Sequence, residues 1–408
     1  MTRFSVTRLN SHGDGVAQTE TGQVAIPFTL PGETVTAARQ KDRAVLVAVI
    51  EASPERIAPA CRHFGECGGC ALQHWQDSAY RDWKRSLVAN AMKSAGVDAD
   101  IGELVSFPPA SRRRLVLTAA RAGAGMALGF QRAMSHDLVE ISECAVADPR
   151  LIAAFPALHR IAGLISKTEK PFKLTVAVTD AGLDIAAEGS GKLEGQSRQS
   201  AVDAVNALGL ARLTIDGELV IERVKPVIMA GNVAIGLPPG GFMQAVAAAE
   251  AVMAALVQTH FGKAKRVADL FAGSGAFALR LASTALVHAV ESDAAALAAL
   301  DRAFRFAGAI KTVTHEKRDL YRRPLLVREL DGFDAVVFDP PRAGAEEQVR
   351  LLAKSKVRKV AAVSCNPLTL ARDLKILVSG GYAIRSITPI DQFIWSPHVE
   401  AVALLEKR

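Results

Sequence analysis

A few side chains stand where their type and spacing could do chemistry. Cys365 follows the apolar run Val357–Val363 and belongs to Ser364-Cys365-Asn366-Pro367. A lone thiol after an apolar run is most often a packing residue, but a thiolate in a ligand crevice is a nucleophile. Glu400 opens the last apolar run of the chain. Taken alone it reads as a solvated charge; beside a nucleophile it reads as a general base. The other four cysteines are Cys61, Cys67 and Cys70, within CRHFGECGGC, and Cys144. Four thiolates can hold zinc or a 4Fe–4S cluster. Zinc sites usually show two close pairs, so three clustered cysteines and one distant one favour iron–sulfur.

The elements that must position these groups are legible in the last 165 or so residues. Strand-like runs 266–271, 286–292, 333–339 and 357–365 occur there, with helical stretches between the first three. Continuous apolar strands separated by helices imply a parallel sheet covered on both faces. Runs 382–393 and 398–408 are joined by a short link through Ser396 and Pro397, which fits an antiparallel pair. This is the outline of an S-adenosylmethionine (SAM) methyltransferase fold. The run Val267–Phe277 is a strand, a turn with Gly273 and Gly275, and a helix start. Such a turn lets backbone approach a ligand, and Glu291, ending the next strand, can accept ribose hydroxyls. The pattern lacks the third glycine of dinucleotide binders, which favours SAM over NAD. Asp339-Pro340-Pro341-Arg342 ends a further strand in a stiff turn. In open α/β sheets ligands lie beyond the carboxyl ends of the strands, where Gly273, Glu291, Asp339 and Cys365 all fall. An antiparallel last strand begins at that same edge, so Glu400 is expected to approach Cys365.

Composition bounds the rest. At roughly 100–200 residues per domain, 408 residues make two or three domains. Apolar residues at 50% and charged residues at 22% exclude general disorder. No apolar run reaches the roughly 18 residues of a membrane span. Five cysteines and no apolar leader argue for reduced thiols and a cytoplasmic protein. The net charge of +7 permits a polyanionic partner. Residues 1–54, with four or five short strand-like runs, are expected to form a small β-barrel. Residues 55–235 are expected to be an α+β domain carrying the four-cysteine site, and residues 236–408 the α/β domain. A monomer is the default.

Taken together, the motifs resemble the RNA 5-methyluridine methyltransferases in order and approximate spacing. Gly13-Asp14-Gly15-Val16-Ala17 through Leu30-Pro31-Gly32-Glu33 resembles the OB-like RNA-binding barrel called TRAM. Cys61-x5-Cys67-Gly68-Gly69-Cys70, with Glu143-Cys144 later, resembles the iron–sulfur motif of that family. Gly241-Phe242-Met243-Gln244, the Asp-Pro-Pro-Arg turn, Ser364-Cys365-Asn366-Pro367 and His398-Val399-Glu400 complete the likeness. The resemblance implies a cytoplasmic enzyme that uses SAM to methylate uracil carbon 5. Cys365 would be the nucleophile and Glu400 the base, with the target uridine flipped out of its stack. By family position Gln244, Phe271, Glu291, Asp319 and Asp339, with Gly273 and Gly275, would contact SAM. Cys61, Cys67, Cys70 and Cys144 would hold the 4Fe–4S cluster. The RNA would be ribosomal more readily than transfer RNA. Val246 and Ala276 depart from the family pattern, each removing a polar group expected near SAM.

Two rivals stand beside this reading. One is a noncatalytic RNA-binding protein retaining the fold; the other is a cytosine-5 or amino methyltransferase. Arg112-Arg113-Arg114 and Lys84-Arg85 are candidate phosphate contacts, although most charge runs are merely solvated.

Overall fold

The computed structural model describes residues 1–123, 125–133 and 135–408. Five strands close a barrel at the N-terminus, in the order Thr2–Leu9, Gly15–Thr19, Gly22–Ile26, Arg43–Glu51, Thr34–Gln40. Alternate residues face inward and pack into one small core, with Val24, Ile26, Val35 and Ala37 fully buried. The expected small barrel is therefore present.

A seven-stranded sheet follows, ordered Glu218–Glu222, Arg212–Ile215, Gly182–Glu188, Phe172–Thr179, Arg114–Ala122, Gly125–Gln131, Leu138–Glu140. Helices Phe155–Ile165 and Gly195–Ala207 share its core. Leu158, Ile161 and Ile165 recur at helical spacing and are fully buried against Leu174, Val176 and Ile185. This is an α+β body.

The C-terminal sheet has eight strands. Their order is Val313–Lys317, Leu286–Glu291, Arg266–Leu270, Ala335–Phe338, Lys359–Ser364, Glu400–Lys407, Tyr382–Asp391, Val105–Ser106. The first five run parallel. Glu400–Lys407 runs antiparallel between Lys359–Ser364 and Tyr382–Asp391, as the short final link implies. Two cores cover the two faces. Helices Ala247–Phe261 and Ala294–Arg305 lie in one. Helices Glu346–Lys354, Pro367–Ser379 and Asp77–Ala95 lie in the other.

Two strands of this sheet escape a reading of the sequence. Val313–Lys317 is mostly polar because it sits at an edge, with only Val313 buried. Val105–Ser106 is two residues long and gains its place only by pairing with Ile390 and Asp391, far along the chain. Among the described residues no helix is long and apolar enough to cross a membrane.

Candidate active site

The strand Arg266–Leu270 ends in a turn whose backbone is unusual at three residues. Phe271, Gly273 and Gly275 have φ of 60°, 54° and 93°. A positive φ is uncommon for a residue with a side chain, and strain of this kind clusters at ligand sites. At Gly275 any side chain would collide, since a Cβ would stand 2.7 Å from Leu300 Cδ1. At Gly273 the same direction opens onto free space. The Gly273 N–H donates to Glu291 Oε2 at 3.0 Å, tying the turn to the end of the next strand. The other oxygen of Glu291 accepts the N–H groups of Ser292 and Asp293. Phe271 packs against Tyr321 with ring centroids 5.5 Å apart. Asp319, beyond the strand Val313–Lys317, accepts the Tyr321 N–H at 3.0 Å. Thus the turn, Glu291 and Asp319 follow three neighbouring parallel strands at one edge.

The thiol and the carboxyl group reach that same edge from the other side. Lys359–Ser364 pairs with Glu400–Lys407 up to Ser364, which lies opposite Ala401. Cys365 directly follows the last paired residue, Ser364, and Glu400 directly precedes its partner Ala401, so the two stand at the same end of the paired strands. Glu400 is buried, and Gln392 Nε2 donates to its Oε2 at 2.8 Å. The same amide nitrogen donates to Gln244 Oε1 at 2.8 Å, and Gln244 Nε2 donates to Asp339 Oδ2 at 3.0 Å. A chain of four side chains, Glu400–Gln392–Gln244–Asp339, therefore runs beneath the site.

Electrostatics here are shaped by burial. Loss of water pushes Glu400 up, and the Asp339 charge adds to the effect against the Gln392 hydrogen bond. Asp339 is pushed up by the protein packed around it, although it retains some solvent contact from the cleft, with its Gln244 bond opposing. Burial, then Glu400 and Asp339, push the Cys365 thiol up to about 11, with Arg342 acting the other way. The arrangement is a protected thiol facing carboxyl groups that hold protons more tightly than usual. Beneath the glycine turn Asp269 is fully buried and both its oxygens lack hydrogen-bond partners. The Ala278 N–H lies on its charged side without good bonding geometry, and burial drives the carboxyl well above its ordinary value.

Cys61, Cys67, Cys70 and Cys144 all line one cavity of about 330 Å³, with Arg112 and Phe393 on its wall. None is paired in a disulfide. Burial pushes the Cys70 thiol up to about 12. Among the described residues no three Cys, His, Asp or Glu side chains converge on the position of a single ion.

The basic runs require correction. Lys84 is fully buried and gives Nζ to Asp391 Oδ1 at 2.8 Å. The Arg113 guanidinium binds Glu250 Oε2 at 2.7 Å and the Gln244 carbonyl at 3.0 Å. Arg85 is turned onto the Ile101 and Gly102 carbonyls. Arg112 lies 6.0 Å from the Phe393 ring centroid. Lys84 and Arg113 are internal braces, because a buried cation must be paired. Val246, read as a lost polar contact, stands at the N-cap of Ala247–Phe261, with its side chain buried in the core. Gln392 and Asp269 were not singled out by the sequence reading. No local pattern marks Gln392; only the register that brings it beside Glu400 does so.

Comparison with known proteins bears on the family and the fold. Residues 211–408 match a family model described as tRNA (uracil-5-)-methyltransferase. The chain is 59% identical to an uncharacterised RNA methyltransferase of Mesorhizobium japonicum, covering 99% of this chain and 98% of the relative. It is 30% identical to the 23S rRNA (uracil(1939)-C(5))-methyltransferase RlmD of an Enterobacter species, over 98% of this chain and 95% of the relative. Its fold matches that of the Pyrococcus abyssi tRNA (uracil-54, C5)-methyltransferase solved with S-adenosyl-L-homocysteine. That match has a TM-score of 0.77 and 24% identity, and covers 99% of both chains.

Proposed function

We propose, from the premise that the chain belongs to the family of RNA uracil-5 methyltransferases, that it methylates carbon 5 of a uridine in large-subunit ribosomal RNA, with SAM as donor. The observation that carries the reading is the strand pairing that leaves Cys365 and Glu400 at the same end of neighbouring strands, at the edge where the glycine turn opens. The choice of ribosomal RNA rests on the likeness to RlmD over nearly its whole length.

In this reading the Cys365 thiolate adds to carbon 6 of the uracil, which makes the otherwise poorly nucleophilic carbon 5 an enolate carbon. SAM supplies an electrophilic methyl group. Phe271, Gly273, Gly275, Glu291 and Asp319 form the floor on which the donor lies, and Gln244 and Asp339 stand between donor and base. Glu400 then removes the carbon 5 proton, and the sulfur leaves as carbon 5 and carbon 6 regain their double bond. Burial keeps water from the adduct and gives Glu400 a higher proton affinity than a surface carboxylate has, while it works against the Cys365 thiolate.

Cys61, Cys67, Cys70 and Cys144 would hold a 4Fe–4S cluster. What supports this reading is that all four thiols line one cavity, and that three clustered cysteines with one distant one depart from the two close pairs usual at zinc sites. Four protein thiolates leave no open coordination position, so the cluster would brace the loops around it and take no part in methyl transfer.

The test is SAM-dependent formation of 5-methyluridine in RNA. Cys365→Ala should abolish it, together with the covalent adduct on 5-fluorouridine RNA. Glu400→Gln should form the adduct and fail to release it. Methyl transfer that survives Cys365→Ala would refute the nucleophile assignment.

A further inference from the structure

Gln392 lies eight residues before Glu400 and 148 residues after Gln244, and its side chain touches both. It is buried, and among the described residues the polar groups its Nε2 meets, on Gln244 and Glu400, both belong to the site. The direction of the amide follows from its neighbours. With Asp339 ionised it can only accept, so Gln244 gives it Nε2 and turns Oε1 toward Gln392. Gln392 then presents its own nitrogen to Gln244, and the second hydrogen of that nitrogen faces Glu400. Its Oε1 is left buried without a partner. The backbone beside it is held firmly as well. Asp391 accepts Lys84 Nζ at 2.8 Å and Tyr80 Oη at 2.5 Å, and Lys84 also binds the Phe393 and His398 carbonyls. Tyr80 Oη accepts the Trp395 N–H at 2.8 Å.

We propose that Gln392 is the positioning residue for proton removal: its amide nitrogen aims the Glu400 carboxylate at carbon 5 and links it through Gln244 to the donor side of the site. The inference rests on the function proposed above. In the step concerned, a Glu400 oxygen takes the proton from carbon 5. The carbon–hydrogen bonding pair becomes the new bond between carbons 5 and 6. The bond from carbon 6 to Cys365 breaks, and its electron pair leaves on the sulfur. Gln392 does not touch the substrate in this account; it holds the group that does.

The experiment compares wild type with Gln392→Met, an apolar replacement of similar shape. A positioned base contributes roughly 10²–10⁴ to rate, and loss of its aim should lower the single-turnover rate about tenfold. KM for RNA and for SAM should stay within about twofold, because no binding contact is removed. Covalent protein–RNA adduct should accumulate on natural uridine RNA, where wild type releases product. On 5-fluorouridine RNA, which has no carbon 5 proton to lose, both proteins should trap adduct equally. Gln392→Asn, which keeps the amide but shortens its reach, should behave in the same way and serves if Gln392→Met does not fold. Wild-type turnover without adduct in either variant overturns the inference. So does failure of a folded variant to trap 5-fluorouridine RNA, which would place Gln392 before the proton step. A wild type that neither traps adduct nor methylates uridine removes the functional reading, and this inference with it.

Discussion

A thiol raised to about 11 is almost wholly protonated at neutral pH, so the Cys365 thiolate that the proposed attack requires is a minority species in the free protein. Below that value its thiolate fraction grows about tenfold per pH unit. Alkylation of Cys365 by iodoacetamide, followed by mass spectrometry, should therefore rise about tenfold per unit between neutral pH and pH 9. A flat profile would show that the thiolate is already formed and that the carboxyl groups beside it do not oppose it. Asp269 gives a second titration of opposite consequence. Its carboxyl is raised by burial, so the folded protein binds a proton that the unfolded chain has lost. Stability from that source is complete below the ordinary carboxylate value and falls as pH rises through the range above it. Asp269→Asn, which carries no charge at any pH, should thus lose less thermal stability than wild type between pH 5 and pH 8. Equal losses in a calorimetric pH series would assign the pH dependence to other groups.

At the scale of elements, the helix Asp77–Ala95 and the strand Tyr382–Asp391 are joined by Lys84 and Asp391, both essentially without solvent. A buried pair that loses one partner leaves an uncompensated charge, at a cost of about 3–5 kcal/mol. Lys84→Met should lower the denaturation midpoint by an amount of that order. Arg3→Ala breaks an ion pair whose partners are 63% and 67% exposed, and should change stability by less than about 1 kcal/mol. Comparable losses in the two variants would mean that the Lys84 pair is not desolvated as the fold implies. The same brace holds the segment that leads to Gln392 and Glu400, so Lys84→Met should also slow methyl transfer.

Across the whole molecule, the cysteine-bearing loop and the catalytic sheet are tied by backbone, with the Ala71 and Leu72 N–H groups donating to the Trp395 carbonyl. Anaerobically purified protein should be brown and hold about four irons per chain, the count of a 4Fe–4S cluster. Removing that metal should loosen the Trp395 segment, read as faster proteolysis there. Stoichiometric zinc in the same preparation would overturn the cluster. The RNA target belongs to this scale too. Mapping 5-methyluridine in RNA from cells lacking the gene should show the loss in large-subunit ribosomal RNA, and a loss confined to transfer RNA would redirect the substrate.

Local chemistry made much of this protein readable from its residues. Apolar strands alternating with helices announced the parallel sheet, paired glycines announced the turn after Leu270, and alternating short runs announced the barrel. All of these depend on neighbours a few residues apart. The Val313–Lys317 edge strand and the Val105–Ser106 strand were hidden, because the first is largely polar and the second exists only through its partner. Lys84 and Arg113 looked like phosphate contacts, since a charge in sequence carries no sign of the carboxylate that will bury it. Gln392 showed no pattern at all. Its role arises from contacts with Gln244, 148 residues away, and with Glu400, and only the folded chain brings such distant groups within hydrogen-bonding range.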